Sequence, residues 1–281
     1  MSYPYFFISQ DNIGEEYIEI FGDDLMHLSQ VLRARKGEIV EVSDNLKFRY
    51  LTEIYDIKKN KAELKVLKKS EIKRSRFEIF LYQCLLKRSS MEMVIQKASE
   101  IGIDTVIPVK SKRVVVNEKT DSRKLARWQK IALEASKQCK RNFKSEILQE
   151  INIGEIKPDN FNIFFVPYEE TEKKEIKKIN IIDSLKDIIA ACSKNNQKSE
   201  NGMEILSEKS TLQLSSNTES SNLKIGFLIG PEGGFEEKEI AQLSKNKALP
   251  VSLGDNILKA ETAAIFMSSI VKYLLTVYQI F

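Results

Sequence analysis

Two short stretches near the C-terminal end carry the residue types best suited to hold a small molecule. The first is Gly230-Pro-Glu-Gly-Gly (230–234), directly after the apolar run Ile225-Gly-Phe-Leu-Ile (225–229). The second is Leu253-Gly-Asp-Asn-Ile-Leu-Lys-Ala-Glu-Thr-Ala (253–263), which follows Val251-Ser252. Glycines let a backbone approach a ligand closely, so amides and carbonyls can read it. The first turn lacks the lysine of a phosphate-binding P-loop and the GxGxxG spacing of a dinucleotide site. Glu236, Glu237 and Glu239 then fall in the expected first turn of a helix, where acids complement the helix dipole. That acidic start disfavours a phosphate ligand and suits a neutral or cationic one. A glycine-rich turn by itself is equally compatible with a plain tight turn, and a Rossmann-type dehydrogenase remains an alternative on glycines alone. The second loop argues for a pocket.

Those loops need strands before them and helices after them. The run at 225–229 reads as a buried strand. Further back, Phe77–Leu86, Thr105–Val109 and Asn162–Val166 read as strands of the same kind. Ser89, with Glu92 three residues on, has the capping-box spacing. It opens an expected helix with Met91, Val94, Ile95, Ala98 and Ile101 on one face, ended by Gly102. Strand, helix and strand in succession imply a parallel sheet. A second helix over 122–141 gathers Leu125, Trp128, Ile131, Ala132, Ala135 and Cys139 on one stripe. Gln138 and Arg141 lie near its end as polar groups able to reach a nucleotide. The last helix carries Ala263, Ala264, Ser268 and Ser269, which allow close helix approach. Its Ile265, Phe266, Ile270, Val271, Leu274, Leu275 and Tyr278 cover much of its circumference. A helix apolar nearly all round is expected to be buried, within the subunit or by a second one.

The first seventy residues have a different texture. Tyr17–Phe21, Glu38–Val42, Tyr50–Ile54 and Ala62–Leu67 alternate polar and apolar, with turn signals at Gly37 and Asp44-Asn45. About five strands at this spacing suggest a small β-barrel. Between them, 22–32 reads as a short amphipathic helix with Leu25, Leu28, Val31 and Leu32 on one face and Asp23 or Asp24 as cap. His27 is expected to be packed or capping. The polar junction Lys73-Arg-Ser-Arg marks the expected boundary between domains 1–72 and 73–281. Lys173–Lys178 and 184–190 are candidate short helices. Residues 193–222 hold eight serines, five asparagines and neither aromatic nor proline. Such a stretch cannot bury enough apolar surface to offset its ordering entropy, and reads as an inserted surface loop.

At 281 residues the chain is long enough for two domains. The net charge of +4 hides an asymmetry. Residues 1–32 contain six acids and no Lys or Arg, whereas 33–150 contain 29 Lys or Arg against 16 acids. A basic middle suggests a polyanionic partner or a well-solvated lysine surface. Cys84, Cys139 and Cys192 are few and far apart, which argues against a disulfide framework or zinc site and for a reducing cytoplasm. One histidine excludes a multi-histidine metal centre. No run reaches the roughly 20 apolar residues of a membrane span, and the N-terminus lacks a signal-peptide pattern.

Taken together, Ile-Gly-Pro-Glu-Gly-Gly-Phe (229–235) and Leu-Gly-x-x-Ile-Leu-Lys-x-Glu-Thr-Ala (253–263) resemble the RsmE family of small-subunit (16S) ribosomal RNA uridine N3-methyltransferases, of the SPOUT superfamily. The likeness extends to His27-Leu-x-x-Val-Leu-Arg-x-x-x-Gly, similar to the family's PUA-like RNA-binding barrel. Gln96-Lys-Ala-Ser-Glu-Ile-Gly-Ile and Arg127-Trp-Gln-Lys-Ile-Ala-x-Glu-Ala-x-x-Gln resemble its central segments. Two positions depart: the family commonly has Arg where this chain has Asn256 and Lys259. Lys259 keeps the charge without the guanidinium fork; Asn256 loses the charge.

The resemblance implies an α/β fold whose SPOUT domain ends in a trefoil knot, preceded by the barrel. It implies S-adenosylmethionine held by Leu228, Ile229, Gly230, Pro231, Glu232, Gly233, Gly234, Leu253, Gly254, Ile257, Leu258, Ala260, Thr262 and Ala263. It further implies a homodimer through the knotted domain and 16S ribosomal RNA or the small ribosomal subunit as partner; the cytoplasmic location and the absence of a metal are expected from the cysteine and histidine counts above. RNA contacts are expected from Arg33, Arg35, Lys36, Lys87, Lys97 and Arg113. Arg141, with Gln138, is expected to stabilise the target uridine; Glu232 would orient cofactor or substrate, and Lys259 would support the second loop. A 2′-O-ribose methyltransferase of the same fold and a non-catalytic ribosomal RNA-binding assembly factor are the alternatives.

Overall fold

The computed structural model describes residues 3–114, 120–168, 180–187 and 222–278. The expected helix at Lys173–Lys178, the part of 184–190 beyond 187, Cys192 and the serine-rich stretch short of Asn222 lie outside them. The chain divides into two compact units, one of residues 1–74 with 132–145 and one of 75–131 with 146–281. The segment 132–145, which sequence alone assigns to the second domain, thus belongs with the first.

In the first unit, five strands form one sheet in the order β1 (Tyr5–Phe7), β3 (Ile39–Ser43), β4 (Phe48–Ile57), β5 (Ala62–Glu71), β2 (Tyr17–Ile20). The pair β1–β3 is parallel and the others antiparallel. Alternation along each strand sends Ile18, Ile20, Val40, Val42, Ile54 and Leu64 into one core, where each is fully buried. Each such side chain contributes about 1.5–3 kcal/mol of burial free energy. Asp44 builds the β3–β4 turn by accepting the backbone N–H groups of Leu46, Lys47 and Phe48 at 2.9, 2.8 and 2.8 Å.

The expected helix at 22–32 forms only in part. α1 (Gly22–Met26) passes at His27 into a π-helical turn, His27–Val31, closed by Leu32 N–H to His27 O at 2.9 Å. The wider turn rotates the apolar stripe. Leu25 and Leu28 stay buried, but Val31 and Leu32 point out, at 69% and 41% exposure. Neither aspartate caps the helix: Phe21 occupies the cap position without a side-chain bond. Asp24 instead pairs with Lys137 at 2.7 Å. His27 sits edge-on to Phe6, ring centroids 6.1 Å apart.

Hydrogen bonds explain why 132–145 joins this unit. The Tyr5 hydroxyl donates to Arg141 O at 2.6 Å and Ser43 Oγ to Asn142 O at 2.8 Å. Lys144 N–H donates to Asn45 Oδ1 at 2.8 Å, and Lys140 Nζ meets Glu41 Oε2 at 2.6 Å.

The second unit is built on a parallel sheet in the order β12 (Leu249–Val251), β10 (Ile163–Pro167), β11 (Leu223–Ile229), β6 (Phe77–Cys84), β7 (Thr105–Lys110), β8 (Glu146–Ile147); β9 (Ile151–Asn152) also pairs with β7. Every expected buried strand is present. α2 (Arg88–Ile101) and the last helix, α5 (Ala260–Tyr278), pack on each other, and α5 also meets β6 and β11. In a second cluster Phe164, Val166 and Leu228 pack with Ile240 and Leu243 of α4 (Glu237–Lys245). α3 (Ser122–Gln138) contributes its first ten residues to this unit and buries Leu125 and Trp128 there.

Three local expectations are corrected. Ser89 does not cap α2: the helix starts at Arg88 with Lys87 before it. Glu92 is drawn to two guanidiniums, Arg88 Nε at 3.1 Å and Arg127 Nε at 2.7 Å, and so does not reach back. α3 ends at Gln138, so Cys139 leaves the stripe and is exposed. Finally, 260–277 is long and apolar enough by length and composition to cross a membrane, with mean hydropathy 1.3. Ala264, Met267, Ser268, Val271 and Leu275 of this helix are nevertheless buried, as expected of a helix covering a sheet.

Candidate cofactor pocket

The C-terminal ends of β10, β11 and β12 open into one cavity of about 640 Å³. Such crevices outside the carboxyl ends of parallel strands are where α/β sheets bind ligands. Its walls are two loops. The first, 230–236, links β11 to α4; the second, 252–259, links β12 to α5.

The glycines of the first loop are demanded by close packing. A Cβ on Gly230 would stand 2.9 Å from the Phe235 ring. A Cβ on Gly233 would stand 2.9 Å from Arg113 O, while Gly234 has φ +69°. In the second loop Gly254 has φ +115°, a conformation side chains disfavour. Ser252 Oγ holds that bend, donating to Gly254 O at 3.2 Å and accepting Gly254 N–H at 3.3 Å. The helix after the loop starts with Ala263 N–H to Lys259 O at 2.8 Å.

Of the residues named from sequence, Ile229, Gly230, Pro231, Glu232, Gly233, Gly234, Leu253, Gly254, Ile257, Leu258, Lys259, Ala260 and Ala263 line this cavity, as does Lys87. Two do not. Leu228 points into the cluster under α4, and Thr262 is exposed on α5. Glu232 Oε1 lies 3.5 Å from the Lys87 amide. Gln138 and Arg141 belong to the first unit, as do Arg33, Arg35 and Lys36. The Arg141 guanidinium donates from Nε to Phe143 O and from Nη1 to Ser145 Oγ, both at 2.9 Å. Lys97 pairs with Glu100 at 2.9 Å. Arg113 reaches Gly233 O at 3.5 Å.

Sequence reasoning missed Pro167 and Tyr168, which line the cavity at the end of β10, and Phe235, Ser252 and Asp255. The signal was available for the first two: each buried strand of a parallel sheet delivers its C-terminal end to the same edge. Cys84, at the end of β6, is fully buried, and that burial pushes its thiol up to about 12. It is not a nucleophile. Among the described residues no group of three His, Cys, Asp or Glu could hold a metal ion.

A cofactor here would meet backbone from two glycine-bearing loops, apolar walls and a mixed charge set: Glu232, Asp255 and Glu261 against Lys87 and Lys259. Nothing in the first loop clamps a phosphate. The lining fits a ligand of mixed apolar and zwitterionic character, carrying a positive centre.

The family described as RNA methyltransferase domain matches residues 73–192 and 174–272, which together span most of the chain. The RNA methyltransferase PUA domain matches residues 22–67. A protein of Mesomycoplasma hyopneumoniae named Ribosomal RNA small subunit methyltransferase E is 30% identical over 213 residues, 74% of each chain. The chain belongs to the ribosomal RNA small subunit methyltransferase E family. Other members match over more of their length. The protein of that name from Buchnera aphidicola is 28% identical over 265 residues, covering 93% of this chain and 90% of its own. The one from Bacillus subtilis is 26% identical over 260 residues, covering 90% and 89%. Among solved structures, Ribosomal RNA small subunit methyltransferase E of Neisseria gonorrhoeae, bound to S-adenosyl methionine, superposes with a TM-score of 0.72 at 22% identity. The match covers 97% of this chain and 98% of that one. That likeness shows that the fold is shared.

Proposed function

We propose that the chain transfers the methyl group of S-adenosylmethionine to N3 of a uridine in 16S ribosomal RNA. The observation that carries this reading is the cavity itself: two glycine-bearing loops at the strand ends, apolar walls, and no phosphate clamp, in a chain of the methyltransferase E family. The backbone of 229–234 and 253–258 would hold the cofactor, with Glu232 orienting cofactor or substrate and Lys259 supporting the second loop. When bound, the cofactor supplies an electrophilic methyl carbon. The chain's own residues then have to position the base and favour loss of its proton. The new bond is N3–C and the bond broken is C–S; the N3 proton leaves to solvent or to a basic group, and S-adenosylhomocysteine remains.

Arg141 and Gln138 are the groups we propose on the uridine side, where a guanidinium would stabilise the uridinate anion. The exposed Arg33, Arg35 and Lys36, with Lys87, Lys97 and Arg113, would supply phosphate contacts. The proposed assembly is a cytoplasmic homodimer through α5, supported by the exposure of the large apolar side chains Phe266 and Tyr273 on that helix. The strand order β12–β10–β11–β6, in which β10 lies between the two strands that lead into the glycine loops, supports a knotted C-terminal end.

The test is methyl transfer from labelled cofactor to assembled small subunits and to naked 16S RNA, with the modified nucleoside identified by mass. N3-methyluridine is the expected product. Label on a ribose 2′-oxygen would replace the reading with the sugar methylase, and cofactor binding to neither substrate-bound nor free protein would leave only an RNA-binding role. Arg141→Ala should lower the rate at least tenfold with cofactor binding intact.

A further inference from the structure

Glu239 lies in the first turn of α4 and is not among the residues that line the cavity. The residue is only 6% exposed. Both oxygens are occupied, and by backbone from different places. Oε2 accepts the Glu236 N–H at 2.8 Å, at the end of the first glycine loop. Oε1 accepts the Lys112 N–H at 3.1 Å, just beyond the end of β7. One buried carboxylate therefore ties the loop after β7 to the loop after β11. Buried charge is tolerated when it is hydrogen-bonded on both sides, and is costly when it loses a partner.

The tie has a second part. Arg113, the residue after Lys112, presents its carbonyl oxygen and Cβ where a Cβ of Gly233 would lie, at 2.9 and 3.2 Å. The segment 111–113 is thus pressed on the outer side of the loop whose inner side, at Gly233 and Gly234, lines the cavity. Lys112 Nζ adds an exposed ion pair to Glu236 at 3.0 Å. Exposed pairs of this kind contribute little, so the buried carboxylate is the effective part.

We propose that Glu239 is a positioning residue for cofactor binding, locking the 111–113 segment behind the 230–236 loop so that its glycine wall is held in the binding conformation. This rests on the reading that the cavity takes S-adenosylmethionine. Pre-formed walls spare the ligand the cost of ordering them.

The test compares Glu239→Gln and Glu239→Ala with Lys112→Met in the full chain. Affinity for S-adenosylhomocysteine is measured by calorimetry, and backbone amide exchange is followed residue by residue. Glutamine keeps one acceptor but turns an NH2 toward the other amide, so it loses one of two ties; alanine loses both. Losing one charge-assisted bond should weaken binding about tenfold, and losing both should weaken it further. Lys112→Met, which keeps the backbone N–H, should stay within about twofold. Exchange at Lys112 and Glu236 should accelerate while amides of β6 and β11 do not change. Unchanged affinity in Glu239→Ala despite faster exchange at Lys112 would overturn the proposal. So would a loss of affinity accompanied by equally faster exchange throughout β6 and β11, which marks a role in fold stability alone. A wild-type protein that binds no S-adenosylhomocysteine would instead refute the cofactor reading beneath it.

Discussion

Gly226 sits in the middle of β11, half a strand below the first glycine loop, and its replacement gives a sharp test of the packing described above. A Cβ there would lie 2.5 Å from Phe164 Cδ2, 2.8 Å from Phe164 Cε2 and 3.0 Å from Phe161 Cδ1. Carbon atoms settle at about 3.5–4.0 Å, so the Phe164 ring must retreat by roughly 1 Å or more. It has no room to do so. Phe164 is 1% exposed, with the Tyr82 and Phe161 rings at 5.4 and 5.2 Å. Overpacking of this kind costs about 1–3 kcal/mol. Alanine recovers roughly 0.5–1 kcal/mol over glycine in a strand interior. Gly226→Ala should therefore lose about 1–2 kcal/mol, a factor of about 5–30 in the folding equilibrium. The assay is urea unfolding followed by fluorescence of Trp128, the single tryptophan, which is buried in the second unit. The denaturant dependence should keep its slope while the midpoint falls. Phe164→Leu in the same chain should relieve part of the loss, with a coupling of about 1 kcal/mol or more. A Gly226→Ala protein as stable as the parent, or a strictly additive double mutant, would refute the close-packed account of this strand.

Three further outcomes are expected. In Glu41, burial alone would raise the carboxyl, but hydrogen bonds from Lys140 and Arg49 outweigh it and hold it below the usual range. Its contribution is therefore present above the unfolded value of about 4.3 and is lost as pH falls through the lower folded value. Glu41→Gln should reduce stability at neutral pH and make the acid limb of the stability–pH curve shallower, read by circular dichroism. Cys139 is exposed, whereas burial holds the Cys84 thiol at about 12. Maleimide labelling mapped by mass at pH 8 should modify Cys139 in the native protein and Cys84 only after unfolding. If α5 forms the proposed dimer, Phe266→Glu with Tyr273→Glu should halve the particle mass in sedimentation while leaving the subunit's circular dichroism unchanged.

The sequence was most legible where the physics is periodic. Alternation located β2 through β5 to within a few residues, and short apolar runs bounded by turn residues located β6, β7, β10 and β11, because period marks a half-exposed strand and run length marks a buried one. Glycine at 230, 233, 234 and 254 pointed to the cavity because few other demands place so many glycines at strand ends. What stayed hidden depends on partners far along the chain. Glu92 looked like half of a capping box until Arg127, on another helix, supplied a competing guanidinium. The stripe at 22–32 looked continuous because a π-helical turn leaves no mark in hydrophobic spacing. The affiliation of 132–145 depends on Tyr5, Ser43, Asn45 and Glu41, none of which has local spacing to that segment. Glu239 read as a dipole-complementing acid, and only the Lys112 amide reveals its second partner.

The place of β11 in the sheet also governs the order in which the chain can fold. Its register with β6 runs from Leu223 opposite Phe77 to Ile229 opposite Gln83, between strands that are neighbours in space and distant in sequence. At synthesis rates of about 5–20 residues per second, β6 waits on the order of ten seconds for this neighbour. Until then β6, with β7 on one side, presents an unpaired backbone edge on the other, the kind of edge that invites wrong pairing. Pairing this non-local also slows folding from the fully synthesised chain, because the closure entropy must be met before the contacts form. The middle of the sheet is therefore filled late, with only the edge strand β12 still to follow. A chain cut short before Leu223 would lack the centre of the sheet, and would be a substrate for chaperones or proteases in place of a smaller working domain.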